Sequence, residues 1–142
     1  TWHNHISMRA DVLVCAGDSS RCSQLGEQIP TYAQSKASSV WDSNAIGHGH
    51  GKGLLYSDQG WSALHNQKGE WWQMDLGTTK TVAGVVTQGR TAHNQYVKSY
   101  KVKVSTDGSS WADVDGGKVF TANSAANNDK KEKKGTYEMK RR

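Results

Sequence analysis

Residues 70–90 read EWWQMDLGTTKTVAGVVTQGR, and two patterns within this stretch indicate β-structure. In residues 70–77, every second side chain from Trp72 to Leu76 is apolar, which is the period of a half-buried strand. Residues 80–89 are rich in valine and threonine, which strands favour because branched side chains pack well on a pleated surface. The stretch therefore predicts two consecutive strands separated by a short turn.

Strand signals of this kind recur along the chain, and no stretch keeps a helical period. Fifteen glycines, one proline and abundant Ser, Thr, Asn and Asp predict many short turns, among them one at Asp107–Gly108. The count of seven or eight strands predicts an all-β sandwich or small barrel. The further predicted strands cover residues 7–15, 37–41, 61–64, 99–111 and 118–123. The side chains predicted to be in the core are Trp41, Trp71, Trp72, Val85, Val102, Val104 and Trp111.

The size and charge of the chain limit the classes of function. Its 142 residues suffice for one domain, and six Trp and five Tyr provide large side chains for a small core. The formal charge is +5, but residues 129–142 alone carry +4. Because this charge lies in one hydrophilic stretch, we interpret it as a solvated tail rather than a nucleic-acid surface. No window approaches the roughly 18 apolar residues of a membrane span.

The chain has two cysteines, Cys15 and Cys22, a number that suits a single disulfide in a secreted module. A structural zinc site would need about four Cys or His ligands at close spacing. His48 and His50 form a pair of histidines, but no third ligand stands near them in the sequence. A disulfide is therefore the favoured interpretation.

Three long loops carry most of the residues suited to binding. Residues 42–53, 56–69 and 88–98 are rich in Trp, His, Asn, Arg and Gly, which stack on ligands and form hydrogen bonds with them. A β-scaffold normally presents its binding surface on such loops. The acidic residues are scattered, and neither a nucleophile elbow nor a phosphate-binding glycine turn is present. The sequence thus favours a binding protein over an enzyme.

Four segments together resemble one known family. They are ASSVWDSN (37–44), GWSALHNQKGEWWQMDLGTTKTVAGVVTQGR (60–90), QYVKSYKVKVSTDGSSW (95–111) and TWHNHISMRADVLVC (1–15). Their amino-acid sequences are similar to those of the discoidin domain, the type C module of coagulation factors V and VIII. The resemblance implies an eight-stranded, jelly-roll-like β-sandwich whose loops at one end bind ligand.

The segments stand in an unusual order relative to that family. Residues 22–128 resemble the main body of the domain, whereas residues 1–15 resemble its last segment, joined here through a linker at 16–21. Because the family pairs a cysteine near its start with one near its end, the resemblance implies a Cys15–Cys22 disulfide. This order suggests either a circular permutant or a segment cut from tandem repeats across a domain boundary. We expect a single domain over residues 1–142 whose first segment closes its own sandwich. A domain-swapped dimer or other oligomer is the alternative.

One family element is largely missing from the chain. Family members carry an apolar strand just before the segment that resembles residues 1–15, but this chain ends in the basic tail 129–142. Thr136–Met139 are the only residues that could begin such a strand. We therefore expect a thinner sheet at this edge.

Sugar-binding relatives use the loop cluster to hold galactose-type sugars, and the resemblance carries this role to the loops of this chain. We expect a lectin-like adhesion module for terminal galactose or N-acetylgalactosamine on cell-surface or matrix glycans. An aromatic ring would stack on the sugar while polar side chains bond its hydroxyls. For Trp61, a place in the core is the competing interpretation. The candidate ligand residues are Arg90, Asp42, Asn44, Trp61, His65, Asn66 and His93.

Two other ligand classes stay open within the resemblance. Phospholipid-binding relatives insert apolar loop tips, and here only Ile46 and Leu64 would serve, which disfavours a lipid partner. Receptor-type relatives bind extracellular proteins such as collagen. Calcium is the one ion that the resemblance suggests, with Asp42 or Asp58 as oxygen donors. All of these alternatives imply an extracellular, secreted location.

Overall fold

The computed structural model describes residues 7–15, 22, 24–124 and 131–134. These residues form β-strands and three short 3-10 helices, at Tyr32–Gln34, Trp41–Ser43 and Val114–Gly117. The predicted all-β class is confirmed. The strands are β1 (Ser7–Cys15), β2 (Leu25–Gln28), β3 (Ser35–Ala37), β4 (Trp61–Ser62), β5 (Trp72–Met74), β6 (Val82–Gln88), β7 (Ser99–Tyr100), β8 (Lys103–Val104), β9 (Ala112–Asp113), β10 (Phe120–Thr121) and β11 (Lys131–Lys134).

The strand boundaries differ from the predicted ones in several places. The described residues contain eleven strands rather than eight, because some of the pairings last only two residues. The predicted strand 99–111 is divided into β7 and β8, which pair with β10 and β9 respectively. The predicted strand 37–41 is shifted, since β3 ends at Ala37 and Trp41 begins a 3-10 helix.

Strand β1 lies at the centre of the main sheet, whose order is β11-β6-β1-β2. Val12 is paired with Val85 on one edge and with Gln28 on the other, both antiparallel. The first residues of β1, Ser7 and Met8, pair with β4. Residues 7–15 thus pair with three other strands of the chain.

A disulfide joins β1 to the start of the next segment. Cys15 and Cys22 are bonded, with their Cα atoms 5.2 Å apart. The bridge closes the connection between β1 and β2, where Cys15 is the register partner of Leu25. The predicted disulfide is confirmed.

Two groups of apolar side chains form the described core. Leu13, Leu55 and Val86 pack together beside β1 and β6, and Val86 is fully buried. Val114 and Phe120 form a second group, against which Tyr100, Val102 and Val104 pack. Val102 and Val104 therefore contribute to the core as predicted.

Two of the tryptophans assigned to the core are in fact exposed. Trp71 is 48% exposed and Trp111 is 43% exposed. Trp71 lies one residue before Trp72, so alternation turns its ring away from the interior when Trp72 faces inward. Trp111 precedes the two-residue strand β9, whose residues Ala112 and Asp113 are exposed as well. Both core predictions were wrong.

The basic tail contains a strand that was not predicted. The backbone of Lys131–Lys134 pairs antiparallel with β6 at Gly84–Thr87 and forms one edge of the main sheet. These four residues are therefore part of the sheet through their backbone, which the interpretation of residues 129–142 as a tail did not include. Thr136–Met139 lie outside the described residues. Within the described part of the chain, no helix has the length and apolar character needed to cross a membrane.

Candidate functional site

The three long loops contact one another directly. The first loop, residues 42–53, is joined to the second loop by a hydrogen bond from the backbone N–H of Ser62 to the His50 carbonyl at 3.0 Å. The second loop, residues 56–69, is joined to the third, residues 88–98, by the bond from Thr91 N to the Gln59 carbonyl at 2.9 Å. We call the surface that these loops share the loop end.

Arg90 is the side chain most firmly oriented at the loop end. Its Nε donates to Oε1 of Gln59 in the second loop at 2.5 Å, and its Nη1 donates to Oε1 of Gln95 at 2.7 Å. The Arg90 side chain is part-buried, and this burial lowers its pKa. A guanidinium has five N–H donors, so three of them make no hydrogen bond to the residues that the structure describes.

The buried side chain of Arg9 forms hydrogen bonds with both the second and the third loop. This side chain is only 2% exposed, and it comes from the central strand β1. Its Nε donates to the Gly89 carbonyl at 2.8 Å, and its Nη1 donates to the Ser57 carbonyl at 2.9 Å. A buried arginine that bonds two loops limits the movement of one loop relative to the other.

The first loop is folded around Asn44. Its Oδ1 accepts a hydrogen bond from His50 N at 2.8 Å, and its Nδ2 donates to the Asp42 carbonyl at 3.3 Å. A Cβ atom at position 49 would come within 2.2 Å of Asn44 Oδ1, so a larger residue there would displace this side chain. Asn44 therefore braces its own loop, while the Asp42 side chain is exposed at a positive φ of 57°.

Trp61 does not provide a stacking platform. Its ring is only 2% exposed, lies 5.9 Å from the ring of Trp72, and donates its indole N–H to the Ser39 carbonyl at 2.8 Å. The choice of Trp61 as a ligand residue is therefore corrected, because neither of its faces is open to solvent. The competing interpretation, a core tryptophan, is the one that the structure has. Trp71, which follows the second loop, has the half-exposed ring that a platform requires.

A fixed carboxylate lies beside Trp71. Glu70 Oε2 accepts hydrogen bonds from the hydroxyls of Ser38 at 2.5 Å and Ser39 at 2.6 Å. Burial raises the pKa of Glu70, but these two bonds and the nearby charge of His65 outweigh it, so that the net shift is downward. Glu70 is therefore an oriented hydrogen-bond acceptor at the base of the second loop.

The remaining predicted ligand residues lie at the surface. His65 and Asn66 are exposed in the second loop, and His93 is exposed in the third. Their roles in ligand binding stay predictions. Asp58, one of the two suggested calcium ligands, forms an ion pair with Lys52 at 2.9 Å. Among the described residues, no group of three His, Cys, Asp or Glu side chains is arranged to hold a metal ion.

Several residues in or next to the three loops were missed by sequence reasoning. Gln59 and Gln95 orient Arg90, yet neither belongs to a motif, and their roles depend on contacts between loops. Trp71 could have been found, because it alternates with Trp72 and shares its phase with Gln73 and Asp75.

A β-sandwich whose loops gather polar groups and an exposed aromatic ring defines a ligand-presenting module. Residues 31–139 match the F5/8 type C domain. Lactadherin from Mus musculus is 37% identical over 91% of this chain, and lactadherin from Rattus norvegicus is also 37% identical over 91%. Neuropilin-2 from Homo sapiens is 32% identical over 78% of this chain. The chain therefore belongs to the F5/8 type C, or discoidin, domain family.

The chain represents only part of the length of these relatives. It covers 30% of the mouse lactadherin, 33% of the rat lactadherin and 13% of the human neuropilin-2. No solved structure matches the chain significantly. The activity of a whole relative therefore does not transfer directly to this module.

Proposed function

We propose that this chain is a non-enzymatic, extracellular carbohydrate-binding module that holds a galactose-type sugar at its loop end. The observation that carries the proposal is the Arg90 guanidinium. Gln59 and Gln95 orient it, and three of its N–H groups have no partner among the described residues. A donor fixed before the ligand arrives loses less side-chain entropy on binding than a mobile one.

Two residues that directly follow the second loop supply the other groups that sugar recognition uses. The Trp71 ring provides an apolar surface for the C–H face of a sugar, and Glu70 is an oriented acceptor for a hydroxyl group. The affinity of one protein site for one sugar is generally low. Adhesion would therefore need several copies of the module acting together.

A glycan array with the purified chain, run with and without EDTA, tests this proposal. We expect hits among galactose-terminated glycans that free galactose competes away, and we expect Arg90→Ala to abolish them. Loss of binding in EDTA would show that sugar binding also requires a divalent cation such as calcium. A blank array from protein shown by circular dichroism to be folded would contradict the proposal.

A phospholipid surface is the second candidate function, because two apolar side chains are exposed near the second loop. Leu64 is 40% exposed and Trp71 is 48% exposed, so more apolar surface is available than the loop sequences indicated. The expectation that lipid is disfavoured is therefore not carried further. Sedimentation with phosphatidylserine vesicles tests this candidate. Leu64→Ser should reduce vesicle binding if the second loop inserts into the membrane. Unchanged vesicle binding in this variant would argue against insertion.

A further inference from the structure

Among the residues that the structure describes, the partners of Arg90 are all uncharged, and this bears on the kind of ligand that the site takes. We infer that the loop end binds a sugar carrying a carboxylate, such as a uronic or sialic acid, in preference to its neutral counterpart. The inference rests on the proposed carbohydrate-binding function and adds the charge of the ligand to it.

The charge balance around Arg90 is the first argument. Its side-chain partners are the amide oxygens of Gln59 and Gln95, and no carboxylate lies within ion-pair distance of it among the described residues. Asp58, which stands next to Gln59 in the chain, is already paired with Lys52 at 2.9 Å. The positive charge of Arg90 is thus left for a partner outside the described part of the chain.

Burial makes this uncompensated charge costly. Loss of solvation around Arg90 lowers its pKa, which means that the surroundings disfavour the charged form. A ligand carboxylate would relieve this cost, whereas a neutral hydroxyl would do so only in part.

The geometry of the remaining donors favours a carboxylate. Three N–H groups of Arg90 remain, including both on Nη2, and all lie in the plane of the guanidinium. A planar carboxylate can accept two of these donors at once, and its single negative charge matches the single charge of Arg90. The ligand that follows from this is a monoanionic sugar acid.

The experiment compares three sugars that differ only at C6, by isothermal titration with the whole chain. The probes are methyl galactoside, methyl galacturonide and the neutral methyl galacturonamide. We expect the galacturonide to bind at least tenfold more tightly than either neutral sugar at 50 mM salt. That preference should shrink at 500 mM salt, because added ions screen the partly solvated pair.

Substitutions then assign the preference to Arg90. Arg90→Gln should weaken galactoside binding about tenfold, enough to remove the hits on an array, and galacturonide binding about a hundredfold or more. Gln95→Glu retains Arg90 but places a carboxylate beside it, so it should reduce the galacturonide preference in a chain that still folds. Lys103→Gln removes one positive charge from the β8–β9 hairpin, where Lys103 lies 3.5 Å from Asp113, and serves as the charge-matched control.

The outcomes separate this inference from the proposed function. Equal affinity for galactoside and galacturonide, or an equal loss on both in Arg90→Gln, overturns the inference and leaves sugar binding intact. Equal effects of Lys103→Gln and Arg90→Gln would also overturn it, because the preference would then reflect overall charge. Binding of none of the three sugars by folded protein overturns both.

Discussion

Nη1 of Arg90 donates a 2.7 Å hydrogen bond to Oε1 of Gln95, five residues further along the third loop. The backbone N–H of Arg90 also donates to the Gln95 carbonyl, at 2.9 Å. The loop is therefore closed on itself by one side-chain bond and one backbone bond. With the bond to Gln59 from the second loop, these contacts determine where the guanidinium lies before any ligand binds.

Replacing Gln59 with alanine tests whether this orientation matters for binding. We expect Gln59→Ala to lower sugar affinity three- to tenfold, since Arg90 must then be ordered on binding, while unfolding free energy falls by about 1 kcal/mol. Titration calorimetry gives the affinity, and ¹⁵N relaxation at Arg90 Nε reports its mobility. Gln24→Ala, at an exposed position before β2, is the control. Unchanged Nε relaxation in Gln59→Ala would contradict the expectation.

Removing the buried arginine should loosen two loops at once. Arg9→Met leaves the carbonyls of Ser57 and Gly89 without this donor, so we expect a loss of about 2–4 kcal/mol in unfolding free energy. Hydrogen exchange in residues 56–60 and 88–95 should become faster, beyond the change seen in β10. Urea unfolding and mass-spectrometric exchange measure the two effects. Uniform exchange changes across the chain would argue against a local bracing role.

The tryptophans at positions 61 and 71 should respond in opposite ways to substitution. Trp61 is buried against Trp72, so Trp61→Ala should cost about 3–5 kcal/mol of stability. Trp71 is half-exposed, so Trp71→Ala should cost only about 1 kcal/mol while weakening ligand binding tenfold or more. Thermal melts and binding titrations on both variants decide this. Intact binding by folded Trp71→Ala would remove Trp71 from the site.

The disulfide should stabilise the chain mainly by shortening a loop of the unfolded state. Cys15 and Cys22 are separated by seven positions, and closing so short a loop contributes about 2–3 kcal/mol. We expect the double variant Cys15→Ser, Cys22→Ser to lose this amount in urea unfolding and to keep its affinity for sugar. A large fall in affinity without a change in stability would be the contrary result.

Asp107 should make stability depend on pH in the acid range. Hydrogen bonds from the backbone N–H groups of Ser110 and Ser109 and from the Ser105 hydroxyl lower its pKa from 3.8 to about 2. Because the folded-state pKa is depressed, the stabilisation is complete above about pH 4 and is lost as the pH falls through about 2.

The difference in melting temperature between wild type and Asp107→Asn should therefore shrink as the pH is lowered from 4 to 2. Thr106→Ala, which changes a neighbouring side chain that does not titrate, should show a constant difference. A gap between wild type and Asp107→Asn that stays constant over this range would show that the charge on Asp107 does not contribute.

Local patterns predicted the strands that carry their own apolar residues. β1 was expected at residues 7–15 and is found there, because its alternation is strong enough to define both ends. β2, with the sequence LGEQ, and β11, with the sequence KEKK, were not expected. Their positions depend on ladders formed with β1 and β6, which a local pattern does not show.

The candidate site was predicted less completely than the fold, for a related physical reason. The three loops were expected to cluster, and hydrogen bonds join them. The residues that orient Arg90 are Gln59, 31 positions away, and Gln95, and glutamines of this kind have no local signature. Trp61 was expected to be a ligand residue and Trp71 a core residue. The packing of Trp61 against Trp72 and the exposure of Trp71, which depend on tertiary contacts, reverse these two expectations.

The most direct test of the account is an NMR titration of the ¹⁵N-labelled chain with methyl galactoside and methyl galacturonide. We predict that the largest shifts fall on the Arg90 Nε–H and on the backbone amides of Arg90, Gln95 and Trp71, and that the galacturonide moves Arg90 further. Saturating shifts confined to another face, such as the Tyr100–Phe120 pair on β7 and β10, with Arg90 Nε unmoved, would contradict the central claim.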